Sequence, residues 1–509
     1  MSVSIFSAAI QGIEAQKVDV EVDSTPGIHS LTIVGLPDKA VQESKDRIGS
    51  SIRNSGFIAP GSKNKKIIVN LAPADLKKEG PSYDLPIAMG YLFETGQIKF
   101  NPKDILFAGE LSLDGSLKAT NGILAIAILA KKLGFKEFII PAQNAEEAAL
   151  VNDISIIPAG KITEVVAHLD GTRRIKPFVL ASSTHEAFRS ENPFAFIRGQ
   201  EAAKRALTIA AAGGHNILMY GPPGGGKTLL AKAFANILPP LSYDESIEVA
   251  KIYSSVGLFE KSMLVSRPFR NPHHTTSPPA IVGGGTWPKP GEISLAHRGV
   301  LFLDELPEFP RNVLESLRQP IEDGVVTVSR ASGSITLPAK FTLIAAMNPC
   351  PCGNYGDQKL TCSCSPFQVL KYRKKISGPL LDRMDIQINV SRETKMDSSE
   401  KKSEIDVNLN KDISTARETQ RNRFLNTSLV TNSEIGYKNI DKFCPVEEGA
   451  EKMLQRVIEQ KSLSLRSYHK IKKLARTIAD LDGSNEIKQH HLAEAISLRL
   501  NEQSLTELA

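Results

Sequence analysis

Residues 216–228, with the sequence NILMYGPPGGGKT, have the composition and spacing of a phosphate-binding loop. Apolar residues with strand character (217–220) precede the loop, and a helix-forming run (229–235) follows it. Glycines let the backbone N–H groups face a phosphate, and the following helix N-terminus adds partial positive charge. Lys227 can reach the β- and γ-phosphates, and the Thr228 hydroxyl can hold Mg²⁺. We therefore expect ATP and Mg²⁺ to bind at Gly221, Pro222, Pro223, Gly224, Gly225, Gly226, Lys227 and Thr228.

A second chemical signal is the acidic end of the apolar run GVLFLDEL, residues 299–306. Asp304 is placed to hold Mg²⁺, and Glu305 to polarise an attacking water. A further apolar strand, residues 341–346, leads to Asn348, whose amide can orient that water. An acidic turn after a strand is common by itself, but beside a phosphate loop this combination predicts ATP hydrolysis.

Four of the five cysteines form a compact pattern, C-x-C, nine residues, C-x-C, at Cys350, Cys352, Cys362 and Cys364. Four soft ligands in so short a segment predict a tetrahedral zinc site. The intervening GNYGDQKLT is rich in turn residues, so a metal would supply its order. The C-x-C spacing is tighter than usual for zinc, and free thiols or a redox pair are the alternatives. Cys444 stands apart and is expected to be inert.

Length and composition are those of a globular protein with several domains. The chain has 509 residues, 41% hydrophobic and 23% charged, and a net charge of +6 that permits an anionic partner. The longest apolar run, residues 122–130, is too short to span a bilayer, and no secretory signal is evident. Five cysteines do not form a disulfide scaffold. We expect a cytoplasmic protein without a membrane partner.

The pattern of elements predicts an α/β multidomain fold. Short apolar runs alternate with helical segments over residues 1–175, as in an α/β sandwich. Residues 176–193 lack periodicity and are interpreted as a linker before an ATPase core, residues 194–392. A polar, mixed-charge segment, residues 393–412, is predicted to be a second linker. Residues 413–509 are helical by periodicity and composition.

Two stretches of the first domain, KKEGPSYDLPIAMG (77–90) and the segment 109–141, resemble the proteolytic domain of Lon proteases. In that family a serine of the GPS segment is the nucleophile, and a later lysine is its base. Ser82 matches the nucleophile position, but the lysine position falls on Leu124. Lys118 is the nearest upstream lysine and lies at a different place in the motif. The resemblance therefore implies a Lon-like domain without peptidase activity, with Ser82 as a turn or capping residue.

The phosphate loop, the acidic strand and Asn348 together resemble the core of AAA+ ATPases, in which Asn348 would be sensor 1. Residues 326–349, with the sequence VTVSRASGSITLPAKFTLIAAMNP, have the pattern of two strands joined at Ala331–Gly333, and they resemble the hairpin before sensor 1 in minichromosome maintenance helicases and in the magnesium-chelatase ATPase subunit. Residues 273–299 resemble the loop that interrupts helix 2 in both families. A basic residue of the helicase hairpin contacts DNA, and Arg330 matches its place. A solvated surface arginine is the alternative.

Two further arginines match functional positions of these families. SGPLLDRMD, residues 377–385, resembles the segment that carries the arginine finger, so Arg383 would reach the nucleotide of a neighbouring subunit. The alternative for Arg383 is a surface ion pair. Arg466 matches sensor 2 in the lid helix, residues 463–483. The same helix carries a basic run that we interpret as a solvated face, namely Lys470, Lys472, Lys473 and Arg476.

The combination of a Lon-like domain, a chelatase-type AAA+ core and a helical lid is similar to the ComM/YifB family. That resemblance covers nearly the whole chain and implies a hexameric, ATP-driven DNA helicase that promotes branch migration during natural transformation. A chelatase-like motor that remodels a protein partner is the alternative, although the Lon-like domain is foreign to the chelatase subunit. A third hypothesis is a regulatory ATPase that scaffolds other proteins.

Overall fold

The computed structural model describes residues 3–62, 64–180, 193–194, 196–260, 266–284, 289–330, 333–357, 360–392, 409–461 and 463–499. The chain divides into two compact units. One comprises Met1–Glu186 and Tyr243–Leu264, and the other comprises Ala187–Ser242 and Val265–Ala509. Among the described residues, no helix has the length and apolar character needed to cross a bilayer.

The strands of the first unit are β1 (Val3–Gln11), β2 (Glu14–Pro26), β3 (Ser30–Val34), β4 (Lys65–Ala72), β5 (Ile105–Phe107), β6 (Glu110–Leu111), β7 (Leu117–Lys118), β8 (Glu137–Pro141) and β9 (Ser155–Ala159). Seven of them form a mixed sheet in the order β3-β4-β2-β1-β5-β8-β9, and β6 and β7 pair separately. Alternating valines of β2 are buried, so one face of this strand carries the core. The first five helices of this unit are α1 (Lys39–Asn54), α2 (Asp84–Glu94), α3 (Ile123–Leu133), α4 (Ala145–Ala148) and α5 (Ile162–Leu169).

The position that carries the catalytic lysine in Lon proteases is part of the core of this unit. Leu124 is fully buried on α3, and its backbone N–H donates to Glu147 Oε1 at 2.9 Å. Burial raises the pKa of Glu147, while hydrogen bonds from Ser254, Leu124 and Asn144 oppose this shift. Ser82 lies in the short helical turn Pro81–Tyr83, and its carbonyl accepts from Gly109 N at 2.9 Å. A buried leucine has no proton to exchange, which supports the interpretation of a unit without a Ser–Lys dyad.

Helix α8 (Tyr243–Ser255) belongs to the first unit although it follows the phosphate-loop helix in sequence. Ala250 of α8 is fully buried in the same apolar cluster as α3. Ser254 Oγ donates to Glu147, and Tyr243 Oη donates to the Leu150 carbonyl at 2.6 Å. The core of the first unit therefore includes a helix that the sequence analysis assigned to the ATPase core.

The second unit contains a five-stranded sheet and a set of helices. Its strands are β10 (Ile217–Tyr220), β11 (Phe269–Arg270), β12 (Gly283–Gly284), β13 (Lys289–Pro290), β14 (Val300–Leu303), β15 (Val325–Arg330), β16 (Gly333–Pro338), β17 (Thr342–Met347) and β18 (Ile386–Asn389). Its helices are α6 (Glu201–Gly213), α7 (Lys227–Ile237), α9 (Pro278–Val282), α10 (Glu292–Leu295), α11 (Arg311–Ser316), α12 (Arg318–Asp323), α13 (Pro366–Arg373), α14 (Gly378–Leu381), α15 (Leu409–Arg423), α16 (Ile440–Phe443), α17 (Glu448–Lys461), α18 (Leu465–Leu481) and α19 (Gln489–Arg499).

The five-stranded sheet is parallel, in the order β11-β14-β17-β10-β18. All residues of β14 and β17 are buried, as expected for central strands of a parallel sheet. Ala345 of β17 pairs with both Leu218 of β10 and Leu303 of β14. The three strands therefore end at the same level, and the residues that follow them meet at one edge of the sheet.

Parts of the two predicted linkers can be compared with the structure. Residues 181–192 and 393–408 lie outside the described residues, so most of both linkers does too. The last four residues of the second predicted linker, 409–412, open helix α15. Two apolar side chains of this helix, Ile413 and Ala416, are fully buried in the core of the unit.

The basic run of α18 is not a solvated face, so that interpretation is wrong. Lys472 and Arg476 are 4% and 1% exposed. Lys470 Nζ lies 2.8 Å from Asp385 Oδ1, and Lys473 Nζ donates to the Ser433 carbonyl at 3.0 Å. The cations face partners inside the unit because α18 packs against α6, α15 and α19 and so has little free surface.

Asp480 is the centre of this buried network. Its carboxylate is fully buried and accepts from Arg423 Nη1 at 2.8 Å, Arg476 Nε at 3.0 Å and Asn432 Nδ2 at 2.8 Å. Two guanidinium groups thus depend on one carboxylate for their charge balance.

We predict that Asp480→Ala will lower the free energy of unfolding of the second unit by about 3–5 kcal/mol, because it removes the buried carboxylate that pairs with the buried Arg476 and the partly buried Arg423. Asp441→Ala is the matched control, since the Asp441 side chain pairs with Lys472 but is 84% exposed. That change should cost less than about 1 kcal/mol. Urea unfolding followed by circular dichroism measures both, and equal effects would contradict the assigned role of Asp480.

Candidate nucleotide site

The phosphate-binding loop connects β10 to α7, as the sequence predicts. Gly224 and Gly226 have φ angles of +80° and +86°, which favour glycine. Gly221 and Gly225 face the carbonyl of Val390, and an added Cβ would lie 2.1 Å and 2.9 Å from that oxygen. The loop is therefore shaped by backbone geometry at two glycines and by close packing at the other two.

Lys227 is buried at the start of α7, with 8% of its surface exposed. Its Nζ donates to the carbonyls of Gly221 at 2.7 Å and Pro222 at 3.0 Å, and to Asn348 Oδ1 at 3.1 Å. Burial lowers the pKa of Lys227, and the charge of Asp304 opposes this effect. The lysine and the expected sensor 1 amide are thus brought together across β10 and β17.

Thr228 and Asp304 form the second contact of the site. Thr228 Oγ1 donates to Asp304 Oδ2 at 2.8 Å, and the backbone N–H of Glu305 donates to Asp304 Oδ1 at 2.9 Å. Hydroxyl and carboxylate oxygens are the ligands that Mg²⁺ prefers. These two residues therefore fit a magnesium ion held beside the phosphate loop.

Glu305 has an unusual backbone conformation and a partner that sequence reasoning missed. Its φ of +51° lies in the left-handed region, where non-glycine residues are uncommon and cluster at functional sites. Its Oε2 lies 3.3 Å from Nδ1 of His274, and the two rings of His273 and His274 are 4.1 Å apart. The sequence shows two adjacent histidines at the start of residues 273–299, but nothing in it indicates that one of them contacts Glu305.

The two arginines expected at the nucleotide meet at one glutamate. Arg383 is buried, and its Nη2 lies 2.8 Å from Glu322 Oε2. Arg466 also contacts Glu322, and its Nε lies 3.1 Å from Asp382 Oδ2. Arg383 also donates to the carbonyls of Arg318 and Pro379. Among the described residues, neither guanidinium contacts the phosphate loop. Arg383 therefore forms an ion pair within its own chain, but it is buried, so the pair differs from the surface ion pair named as the alternative.

Asp385 ties the arginine segment to the lid. It accepts from the backbone N–H of Asn216 at 3.1 Å and lies 2.8 Å from Lys470 Nζ. Burial would raise the pKa of Asp385, but Lys470 and His215 hold it well below the usual value. Asp385, two residues after Arg383, thus contacts both the residue before β10 and helix α18.

The predicted hairpin is formed by β15 and β16, which pair antiparallel from Val325↔Pro338 to Arg330↔Gly333. Arg330 is the last residue of β15, at the turn end of the hairpin. Its side chain lies outside the part of the chain that the structure describes. The hairpin leads directly into β17, the strand that ends at Asn348.

The four cysteines form one cluster directly after Asn348. Their sulfur atoms all lie within 4.8 Å of one another. The Sγ atom of Cys350 is 3.4 Å from that of Cys352 and 3.7 Å from that of Cys362. Backbone N–H groups of Asn354 and Ser363 lower the pKa of Cys352 to about 5. Cys444 is buried elsewhere, where burial raises its pKa to about 11.

Comparison with known families covers most of the chain. A model of the magnesium-chelatase subunit ChlI matches residues 193–398, a second ChlI model matches residues 20–144, and a ChlI C-terminal model matches residues 404–499. The region matched by the first model, residues 193–398, contains the phosphate loop, the acidic strand, the hairpin and Arg383. The chain is therefore a magnesium-chelatase-like AAA+ ATPase.

Several relatives match nearly the whole chain, and two of them show the family. The competence protein ComM of Haemophilus influenzae is 42% identical over 513 residues, which is 99% of each chain. YifB of Escherichia coli is 40% identical over 514 residues, or 100% of this chain and 99% of YifB. Lon protease of Rhizobium meliloti is 26% identical over 165 residues, which is 31% of this chain and 20% of Lon. The chain belongs to the ComM/YifB family.

Proposed function

We propose that this protein is a ring-shaped, ATP-driven DNA motor, a hexameric helicase that promotes branch migration of recombining DNA during natural transformation. The observation that carries the proposal is the β15–β16 hairpin before sensor 1, in a chain that matches a competence protein over its whole length. The five thiols, all free of disulfides, are consistent with a cytoplasmic location.

In this proposal each residue of the nucleotide site has a separate role in ATP hydrolysis. Lys227 binds the phosphates after leaving the Gly221 and Pro222 carbonyls, to which it now donates. Thr228 and Asp304 would hold Mg²⁺, which supplies positive charge to the phosphates. Glu305 takes a proton from the attacking water, and Asn348 orients that water. The contact between Lys227 and Asn348 supports the last role, because it places the amide at the phosphate loop.

Arg383 acts on the nucleotide of a neighbouring subunit in this proposal, and Arg466 contacts nucleotide as sensor 2. Each now pairs with Glu322, so each must exchange that carboxylate for nucleotide phosphate. A phosphate group accepts two parallel hydrogen bonds from a guanidinium, as a carboxylate does, so the exchange conserves the type of contact. Glu322 then serves as the partner of both arginines whenever they are not bound to nucleotide.

The hairpin supplies the DNA contact. Arg330 lies at its turn, next to the point where the chain reverses from β15 to β16. In a ring, six such turns at the central opening would present six guanidiniums to the phosphates of one strand. Phosphate contacts of this kind depend on salt because they release counterions.

The alternative is a motor that remodels a protein partner, as magnesium chelatase is expected to do. The observation that favours it is that the three matching models all describe a chelatase subunit. The first unit does not decide between the two, because a chelatase-subunit model matches residues 20–144. The match to ComM over 99% of both chains favours the DNA motor. The response of ATP hydrolysis to DNA distinguishes the two.

The first prediction concerns the ATP site. Lys227→Ala should abolish nucleotide binding, whereas Glu305→Gln should bind ATP and fail to hydrolyse it, because the water loses its base. Glu308→Gln is the matched control, since Glu308 pairs with Lys375 at 3.0 Å on the surface. Titration with a fluorescent ATP analogue and a phosphate-release assay measure both steps. Equal turnover by wild-type protein and Glu305→Gln would remove Glu305 from its role.

The second prediction is that Arg383 acts on the neighbouring subunit. Arg383→Ala and Lys227→Ala should each be inactive, but their mixture should recover hydrolysis at interfaces that combine an intact arginine with an intact loop. Arginine fingers are worth about 10³–10⁵ in rate in other NTPases, so the recovered activity should stand clear of background. If both variants assemble and the mixture stays inactive, or if a monomer hydrolyses ATP at full rate, the assignment fails.

The third prediction concerns DNA. Arg330→Ala should lose most DNA-stimulated ATP hydrolysis and strand displacement on forked DNA, because each subunit loses one phosphate contact. Arg330→Lys, which keeps the charge, should retain part of both. The slope of log affinity against log salt should become shallower in the alanine variant. Wild-type protein that ignores every DNA structure offered would favour the protein-remodelling alternative.

A further inference from the structure

We propose that Cys350, Cys352, Cys362 and Cys364 bind one zinc ion, and that the loop closed by this ion braces the phosphate-binding loop. The proposal rests on ATP binding at that loop and on nothing about DNA. It assigns a metal-dependent element to the nucleotide site, next to sensor 1 in the sequence.

The spacing of the sulfur atoms fits a single tetrahedral metal. Zinc binds thiolates at about 2.3 Å, so the sulfurs of a tetrahedral site lie about 3.8 Å apart. The three distances among Cys350, Cys352 and Cys362 are 3.4, 3.6 and 3.7 Å. A disulfide needs about 2.0 Å, and an iron–sulfur cluster would place its own atoms between the thiolates. One soft divalent ion therefore fits the cluster better than either redox alternative.

The loop around the cluster has few other sources of order. Cys350 is buried, but the two large hydrophobic side chains of the loop, Tyr355 and Leu360, are exposed. The backbone N–H of Tyr355 donates to Cys350 Sγ at 3.3 Å, so the polypeptide between the two cysteine pairs folds back onto this sulfur. A loop without an apolar core takes its folding free energy from the metal.

The same loop touches the phosphate-binding loop at Pro223. An added Cβ on Gly353 would lie 2.6 Å from Pro223 Cδ, so the two loops are in close contact there. Arg392 Nε donates to the carbonyl of Pro223 at 3.0 Å. The same guanidinium lies 3.9 Å from Oδ2 of Asp357, a residue of the cysteine loop. The cysteine loop thus contacts Pro223 directly through Gly353 and indirectly through Asp357.

Two consequences follow from this arrangement. Asn348 is two residues before Cys350, so the metal fixes the end of the segment that carries sensor 1. Pro223 is within the phosphate loop, so the same metal limits how far that loop can move. Loss of the ion should therefore loosen the phosphate-loop carbonyls and the Asn348 amide, to all of which Lys227 donates.

The metal is tested on the full chain. Wild-type protein purified under reducing conditions should contain one zinc per chain by elemental analysis, and Cys362→Ser should contain less than a tenth of that. Cys444→Ala, which removes the fifth thiol, should keep all of it. Protein prepared with cobalt should show the visible absorption of a tetrahedral tetrathiolate site, a readout that needs no variant. Wild-type protein without metal, or full zinc in Cys362→Ser, would overturn the proposal.

The brace is tested with two glycines of the same loop. Gly353 and Gly356 have φ angles of +82° and +76°, but a Cβ on Gly356 meets no atom within 4 Å. Gly353→Ala should therefore retain zinc and weaken binding of a fluorescent ATP analogue about tenfold, while Gly356→Ala carries the same backbone strain and should bind normally. Equal affinities in the two variants would overturn the brace, whatever the zinc content or the response to DNA.

Discussion

The parallel register of β14, β17 and β10 is the constraint on which the nucleotide site depends. Ala345 pairs with a residue on each side, so the ends of the three strands cannot shift independently. The contact from Lys227 to Asn348 joins the ends of the neighbouring strands β10 and β17, and the hydrogen bond from Thr228 to Asp304 joins the ends of β10 and β14, which lie on either side of β17. A shift of two residues in β10 would separate both pairs, and a shift in β17 or β14 would separate one of them.

The remaining parts of the site are held by charge. Glu322 binds the two arginines, and Asp385 connects their segment to α18. The pair between Asp385 and Lys470 is largely buried, and such pairs contribute little net stability but require specific partners. The helical region is therefore coupled to the arginine segment through a few charged contacts and not through apolar packing alone.

Much of this arrangement could be predicted from the sequence, because the signals were local. The phosphate loop, the acidic strand, the hairpin and the cysteine spacing each lie within a few residues, and the structure places the corresponding elements there. The ComM/YifB assignment and the α/β multidomain fold are confirmed. The roles of Glu305, Arg383, Arg466 and Arg330 stay predictions.

What the sequence could not supply depends on pairs of residues far apart in the chain. His274 beside Glu305, and Glu322 between two arginines, are contacts that no spacing encodes. The basic run of α18 has the composition of a solvated face, and its burial is decided by the helices packed around it. The same is true of α8, whose partner elements lie over a hundred residues upstream.

The position of α8 has a consequence for biosynthesis. Chains fold from the N-terminus as they leave the ribosome, at roughly 5–20 residues per second. The first unit cannot be completed when its own sheet has emerged, because Ala250 and Ser254 come from a later segment. Until α8 is translated, Ala250 cannot join the apolar cluster of α3 and Ser254 cannot donate to Glu147, and by then the phosphate-loop helix has already been made. A fragment cut at the first linker would therefore lack a part of the core of the first unit.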